Sequence, residues 1–60
     1  MTREQKSMMV QASELTRDAK ALRKLARDAG GIMAVQMVQV ARSYESKAAA
    51  IVARLPAVVR

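Results

Sequence analysis

Residues 19–41 read AKALRKLARDAGGIMAVQMVQVA, and the middle of this stretch holds the only two glycines of the chain. Glycine adopts positive φ angles without the steric cost that other residues meet, and it commonly ends a helix. Helical patterns lie on both sides of Gly30 and Gly31. The pair therefore predicts a turn at residues 30–31 that reverses the chain between two helices.

The pattern before the glycines is that of an amphipathic helix. Residues 2–29 contain no Gly, Pro or Asn, and Thr2 with Gln5 three residues later fits a capping box. Spacings of three and four residues separate the apolar positions, as expected for one face of a helix. These positions are Met8, Ala12, Leu15, Ala19, Leu22, Ala26 and Ala29. We expect the first helix to span about residues 2–29.

The second pattern starts at Ile32 and predicts a helix to about Leu55, because Pro56 disfavours helical geometry in the residue before it. The tail at 56–60 has no predicted structure. Apolar residues cover about half of the circumference of this helix. A single neighbouring helix cannot bury that much apolar surface. We expect the surplus to form an oligomer or partner face made of Met33, Met37, Val40, Tyr44, Ile51 and Leu55.

Alanines recur every seven residues in both helices, and their positions mirror one another about Gly30. The mirror pairs are Ala12 with Ala48, Ala19 with Ala41, and Ala26 with Ala34. Small residues at a heptad position let two helix backbones approach closely. The pattern predicts an all-α fold, a two-helix antiparallel hairpin in one domain over residues 1–60, with these six alanines as an alanine seam between the helices.

The same mirror relation places the larger residues in layers. It sets Met8 against Val52, Leu22 against Val38, and Leu15 against Glu45. A carboxylate in a bundle core needs a partner or a shifted pKa. Two interpretations of Glu45 stay open, since its side chain either swings to the flank of the hairpin or fixes the register of an oligomer.

Chain length and residue types limit the functions that remain. The chain has 60 residues, no Cys and no His. Such a short chain has little core of its own, and it lacks disulfides and the usual transition-metal ligands. Because no group titrates near neutral pH and no activated nucleophile is present, we expect no enzyme. We also expect no metal and no cofactor. We predict instead that the hairpin completes a four-helix bundle as a homodimer or docks on a larger assembly.

The net charge of +6 is uneven along the chain, with a cluster of cations over residues 17–28 on one side of the first helix. The cations that share this side form a basic stripe of Arg17, Lys20, Lys24 and Arg27, with Arg3 nearer the start of the chain. Three interpretations apply: a solvated helix face, a surface for an acidic protein, or a surface for nucleic acid phosphates. Base-specific reading is disfavoured because Asn is absent.

Two flanking residues of the first helix, Met9 and Leu25, are expected to be exposed and are candidates for an interface. A membrane role is disfavoured, because the apolar runs are shorter than the roughly twenty residues a span needs and no Trp or Phe anchors the helix in an interface. The first sixteen residues also lack the apolar run of a signal peptide. We expect a cytoplasmic protein.

The opening MTREQKS and the heptad register resemble those of the Rop family, small plasmid copy-number regulators. Ala12, Ala19 and Ala26 fall where first-helix core residues of that family fall, as do Met8, Leu15 and Leu22. The resemblance implies a hairpin dimer that binds paired RNA loops through its first helix. Arg3 fits that RNA-contacting face. Amide, aromatic or basic residues are expected where this chain has Val10, Glu14, Asp18 and Leu25.

The sequence thus predicts a non-enzymatic interaction module that acts through self-association or through docking of its apolar second helix. The alternative is a basic RNA- or DNA-binding regulator of the Rop type that uses the basic stripe.

Overall fold

The computed structural model describes residues 2–58 and contains helix α1 (Arg3–Ala29) and helix α2 (Gly31–Ala53). The helices pack against each other in a hairpin whose Cα atoms extend over 43 × 14 × 14 Å. A helix of 27 residues is about 40 Å long at 1.5 Å per residue, so α1 alone accounts for the length of the molecule. The predicted all-α hairpin is confirmed.

The predicted capping box is present at the start of α1. The Gln5 backbone N–H donates a 3.1 Å hydrogen bond to the Thr2 hydroxyl, and the Thr2 backbone N–H donates a 3.0 Å bond to the Gln5 side-chain oxygen. These two bonds satisfy amides that no preceding helical turn would otherwise engage. The helix therefore starts at Arg3, one residue after the predicted boundary.

The reversal between the helices takes place at the two glycines. Gly30 has φ 67° and ψ 177°, Gly31 has φ 63°, and α2 already begins at Gly31. The Gly30 N–H donates to the Ala26 carbonyl at 3.1 Å, and the Gly30 carbonyl accepts from the Ala34 N–H at 3.3 Å. Both ends of the turn are thus tied to the helices that flank it.

The end of α2 differs from the sequence prediction. The helix ends at Ala53, and the Leu55 N–H donates to the Val52 carbonyl at 3.0 Å, a tighter turn than that of an α-helix. Pro56 disfavours the helical conformation of Leu55, so the chain leaves the helical path there. Leu55 is only 3% exposed. Its predicted place on the exposed partner face is therefore wrong. Residues 59–60 of the predicted tail lie outside the described residues.

Alanine makes up most of the core between the helices. Ala12, Ala19, Ala26, Ala41 and Ala48 are each at most 5% exposed, whereas Ala34 is half-buried beside the turn. Leu55 is the only larger residue of the described chain that reaches this degree of burial. The alanine seam therefore brings the backbones together and leaves every other large apolar side chain at least partly open to solvent.

Replacing Gly30 with L-alanine is expected to destabilise the hairpin by about 1–3 kcal/mol, because its φ and ψ are accessible almost only to glycine. A Cβ at this position would meet no atom within 4 Å, so the cost is purely conformational. D-alanine at the same position favours positive φ and should stabilise instead. Urea unfolding of the synthetic chains at one fixed concentration measures both effects. Equal stability of the two stereoisomers would contradict this account of the turn.

Candidate partner surface

The alanine seam divides the surface of the hairpin into two flanks. One flank carries large apolar residues from both helices, all half-buried. Leu22 lines one shallow depression together with Tyr44, and Leu15 lines another together with Ile51. Met8 and Met37 each lie seven residues from a member of this group and so continue it along the same helix faces. We call this flank the apolar face: Met8, Leu15, Leu22, Met37, Tyr44 and Ile51.

The second flank is mixed in character. Val52 lines a depression with Met9 and Thr16, and Val38 lines another with Arg23. Glu45 contacts Arg23 on the same side. We call this side the ion-pair flank: Met9, Thr16, Arg23, Val38, Glu45 and Val52.

This division corrects the predicted layers of large residues. The mirror relation predicts that Leu22 and Val38 face each other, but they lie on different flanks. Leu22 follows Ala19 of the seam by three residues, whereas Val38 follows Ala34 by four. In an antiparallel pair, positions three after a seam residue share one flank and positions four after it share the other, because they lie on opposite sides of the seam at 100° per residue. The mirror rule holds for the seam itself and fails beside it.

The structure brings part of the predicted partner face onto the apolar face. Met37, Tyr44 and Ile51 are members of it, and they are joined there by first-helix residues that the heptad pattern assigns to the interior of the hairpin. Met33 and Val40 are exposed. On helical spacing they lie at the outer edge of α2 beside this face.

Charged residues border the apolar face. The depression lined by Leu15 and Ile51 is also lined by Glu14 and Asp18 from α1 and by Lys47 from α2. The α1 border is therefore acidic and the α2 border basic at the same level of the hairpin.

Glu45 takes the flank position that was one of its two predicted alternatives. Arg23 Nη2 lies 2.6 Å from Glu45 Oε1, and Arg23 Nε donates to Oε2 at 3.3 Å. Side chains lean toward the N-terminus of their own helix, so in an antiparallel pair these two lean toward each other. The side chains are 41% and 43% exposed, which makes the pair a half-solvated one. Sequence reasoning missed Arg23, although both residues follow a seam alanine by four.

The ion pair shifts the pKa values of both Arg23 and Glu45. The hydrogen bond from Arg23 lowers the pKa of Glu45 below its usual value, against the opposing effect of desolvation, and the charges of Arg23 and Arg42 lower this pKa further. The hydrogen bond and charge of Glu45 raise the pKa of Arg23. Both groups are therefore held in their charged forms at neutral pH.

All five cations assigned to the basic stripe and its N-terminal extension are exposed. Arg17 and Lys20 line the same depression on the ion-pair flank, and Arg27 lines a second one. Arg3 is at the first residue of α1, about 21 Å from Arg17 along the helix. Lys24 completes the stripe on helical spacing. Beside it, Met9 is half-buried, contrary to expectation, whereas Leu25 is exposed as predicted.

No family model, curated protein or solved structure matches the chain. Within residues 2–58, no three His, Cys, Asp or Glu side chains are grouped so that they would hold a metal ion. Over the same residues, neither helix combines the length and the apolar character that crossing a membrane requires.

Glu45→Gln should remove a pH-dependent contribution to stability. Because the pKa of Glu45 is lower in the folded chain than in the unfolded chain, the stabilisation is present above the unfolded pKa and is lost as pH falls through the folded pKa. We expect the free energy of unfolding of wild type, measured in urea, to exceed that of Glu45→Gln at neutral pH, and the difference to shrink as pH falls below the unfolded pKa of Glu45. A double-mutant cycle with Arg23→Gln isolates the pair. A coupling energy that is unchanged in acid would contradict the assignment.

Proposed function

We propose that this chain is a non-enzymatic interaction module that self-associates through the apolar face and forms a four-helix bundle as a homodimer. The observation that carries the proposal is the partial exposure of that face. Six large apolar side chains stay half-buried, while the seam that holds the hairpin together consists of alanines.

The energetic argument concerns which atoms the hairpin leaves in contact with water. Full burial of a Val, Leu, Ile or Met side chain contributes about 1.5–3 kcal/mol, and an alanine methyl contributes much less. The hairpin therefore leaves part of this hydrophobic stabilisation unused, and the neighbouring Met33 and Val40 stay 57% and 43% exposed. A second apolar face placed over the first would bury the same residues of both copies at once.

Spacing along the helices supports the same arrangement. Each helix contributes three members of the apolar face at intervals of seven residues. This interval keeps a stripe facing a neighbouring helix in bundles and coiled coils. Two such faces with the same seven-residue repeat can pack against each other over their whole length. Docking on the irregular surface of a globular partner would not require this repeat.

Adjacent residues on α2 provide a matched test. Ile51 lies on the apolar face and Val52 on the ion-pair flank, and both are half-buried. Ile51→Lys should abolish the dimer in sedimentation equilibrium across micromolar concentrations, because it places a charge in the interface. Val52→Lys should leave the stoichiometry unchanged. Helix content by circular dichroism controls for loss of folding.

Two results would count against the proposal. One is a fully helical wild-type monomer at every concentration, which would favour docking on a different protein. The other is an equal loss of association in both variants, which would show that the two flanks do not differ in function.

A second candidate function is that of an RNA- or DNA-binding regulator resembling the Rop family. The observation in its favour is the location of the basic stripe, which faces away from the apolar face and would stay exposed in the dimer. Its cations would engage phosphates, and the absence of Asn favours recognition by shape and charge.

Arg17→Glu tests this candidate, with Arg42→Glu on α2 as the control of equal charge change. Both arginines are exposed, but only Arg17 belongs to the basic stripe. Arg17→Glu should weaken binding to duplex RNA or DNA and lower the slope of log affinity against log salt by about 1 for each phosphate that the variant no longer neutralises. Equal affinities of the two variants, or no binding by wild type, would eliminate the nucleic acid function.

A further inference from the structure

We infer that the two copies in the dimer lie with their turns at the same end, so that each α1 covers the α2 of the second copy. This inference rests on the proposed self-association through the apolar face. It concerns the orientation of the second copy on that face, and the charged residues that border the face support it.

Two-fold symmetry allows two ways to stack one apolar face on another. If the axis runs along the helices, the turns lie at the same end and α1 packs on α2 of the second copy. If the axis crosses the helices, the turns lie at opposite ends and α1 packs on α1, antiparallel. Both arrangements bury the same apolar residues, so the border decides between them.

The two borders of the apolar face have opposite charges. The acidic border belongs to α1 and carries Glu4, Glu14 and Asp18, whereas the basic border belongs to α2 and its end and carries Lys47 and Arg54. All five residues are exposed. Helical spacing places them on the outer side of the apolar face, away from the alanine seam.

The borders also match in height along the hairpin. Glu14, Asp18 and Lys47 line one depression, so they lie at the same level. Glu4 lies in the first turn of α1, and Arg54 directly follows the last residue of α2, so both belong to the open end of the hairpin. Acidic residues of α1 and basic residues of α2 therefore occur at the same height at two places along the hairpin.

With the turns at the same end, residues at the same distance from the turn lie at the same height in both copies. The acidic border of each copy then lies over the basic border of the other at matched heights, and the pairing occurs twice by symmetry. The exposed apolar residues of the borders, Leu25, Met33 and Val40, also come together, since all three belong to the half of the hairpin nearer the turn.

With the turns at opposite ends, the acidic border of one chain would lie antiparallel to the acidic border of the second chain. The midpoint of α1 (Arg3–Ala29) is residue 16, and Glu14 and Asp18 lie on either side of it. Reversal about this midpoint would bring the four carboxylates of two chains together. Like charges in such proximity destabilise an interface and help to exclude it.

Intermolecular distances test the direction. Because the chain has no cysteine, Asp28→Cys and Lys6→Cys introduce single labelling sites at exposed positions near the turn and near the open end. These positions are 22 residues apart on α1, about 33 Å along the helix. Spin labels would be measured by double electron–electron resonance in dimers that carry both labels at residue 28, and in mixed dimers labelled at 28 and 6.

We expect the distance between the two residue 28 labels to be shorter than the distance between residue 28 and residue 6 of different chains. The reverse order would overturn the inference and leave the dimer intact. Absence of any intermolecular distance would overturn the proposed self-association itself. The two failures are thus distinguishable.

A charge variant gives an independent readout with opposite signs. Glu14→Gln with Asp18→Asn should weaken the dimer by about 2- to 10-fold, because attractive pairs between the copies are removed. In the opposite-end arrangement, the same change would relieve repulsion and strengthen the dimer. Sedimentation equilibrium reports the direction, and a strengthened dimer would overturn the inference.

Discussion

The close approach of two helix backbones along the alanine seam is the constraint on which the rest of the molecule depends. Ala19 and Ala41 at its centre are fully buried, so a larger side chain at either position would overpack the contact between the helices. The turn supports this approach because it reverses the chain over the two glycines alone. Larger side chains are consequently displaced to the two flanks.

The two flanks have unequal composition, so the proposed self-association has one preferred side. One flank is uniformly apolar over the length of both helices. The other flank carries the Arg23–Glu45 ion pair, and Arg27 of the basic stripe lines the same depression as Arg23 and Val38. A half-solvated ion pair stabilises only modestly, yet it keeps the charges of this flank at the surface and makes the flank costly to bury. The apolar face therefore remains the surface that self-association would cover.

Sequence reasoning succeeded where local rules dominate. The Thr2–Gln5 capping box and the positive φ of the two glycines follow from residue type and spacing alone. The end of α2 was less predictable, because the conformation before Pro56 competes with packing of Leu55 against the hairpin. The layers beside the seam were wrong because a mirror relation in residue numbers carries no information about handedness. That information was available in the spacing of three or four from each alanine, which separates Leu22 from Val38.

The sequence by itself determined two helices, the turn that joins them and the residues of the seam, since helical periodicity and glycine conformation are local properties. The tertiary structure decided which residues share a flank, because that depends on the antiparallel direction of both helices at once. It assembled the apolar face from Leu15, Leu22, Tyr44 and Ile51, and it paired Glu45 with Arg23. These residues are far apart in sequence, so only the packing of α1 against α2 brings them to one surface.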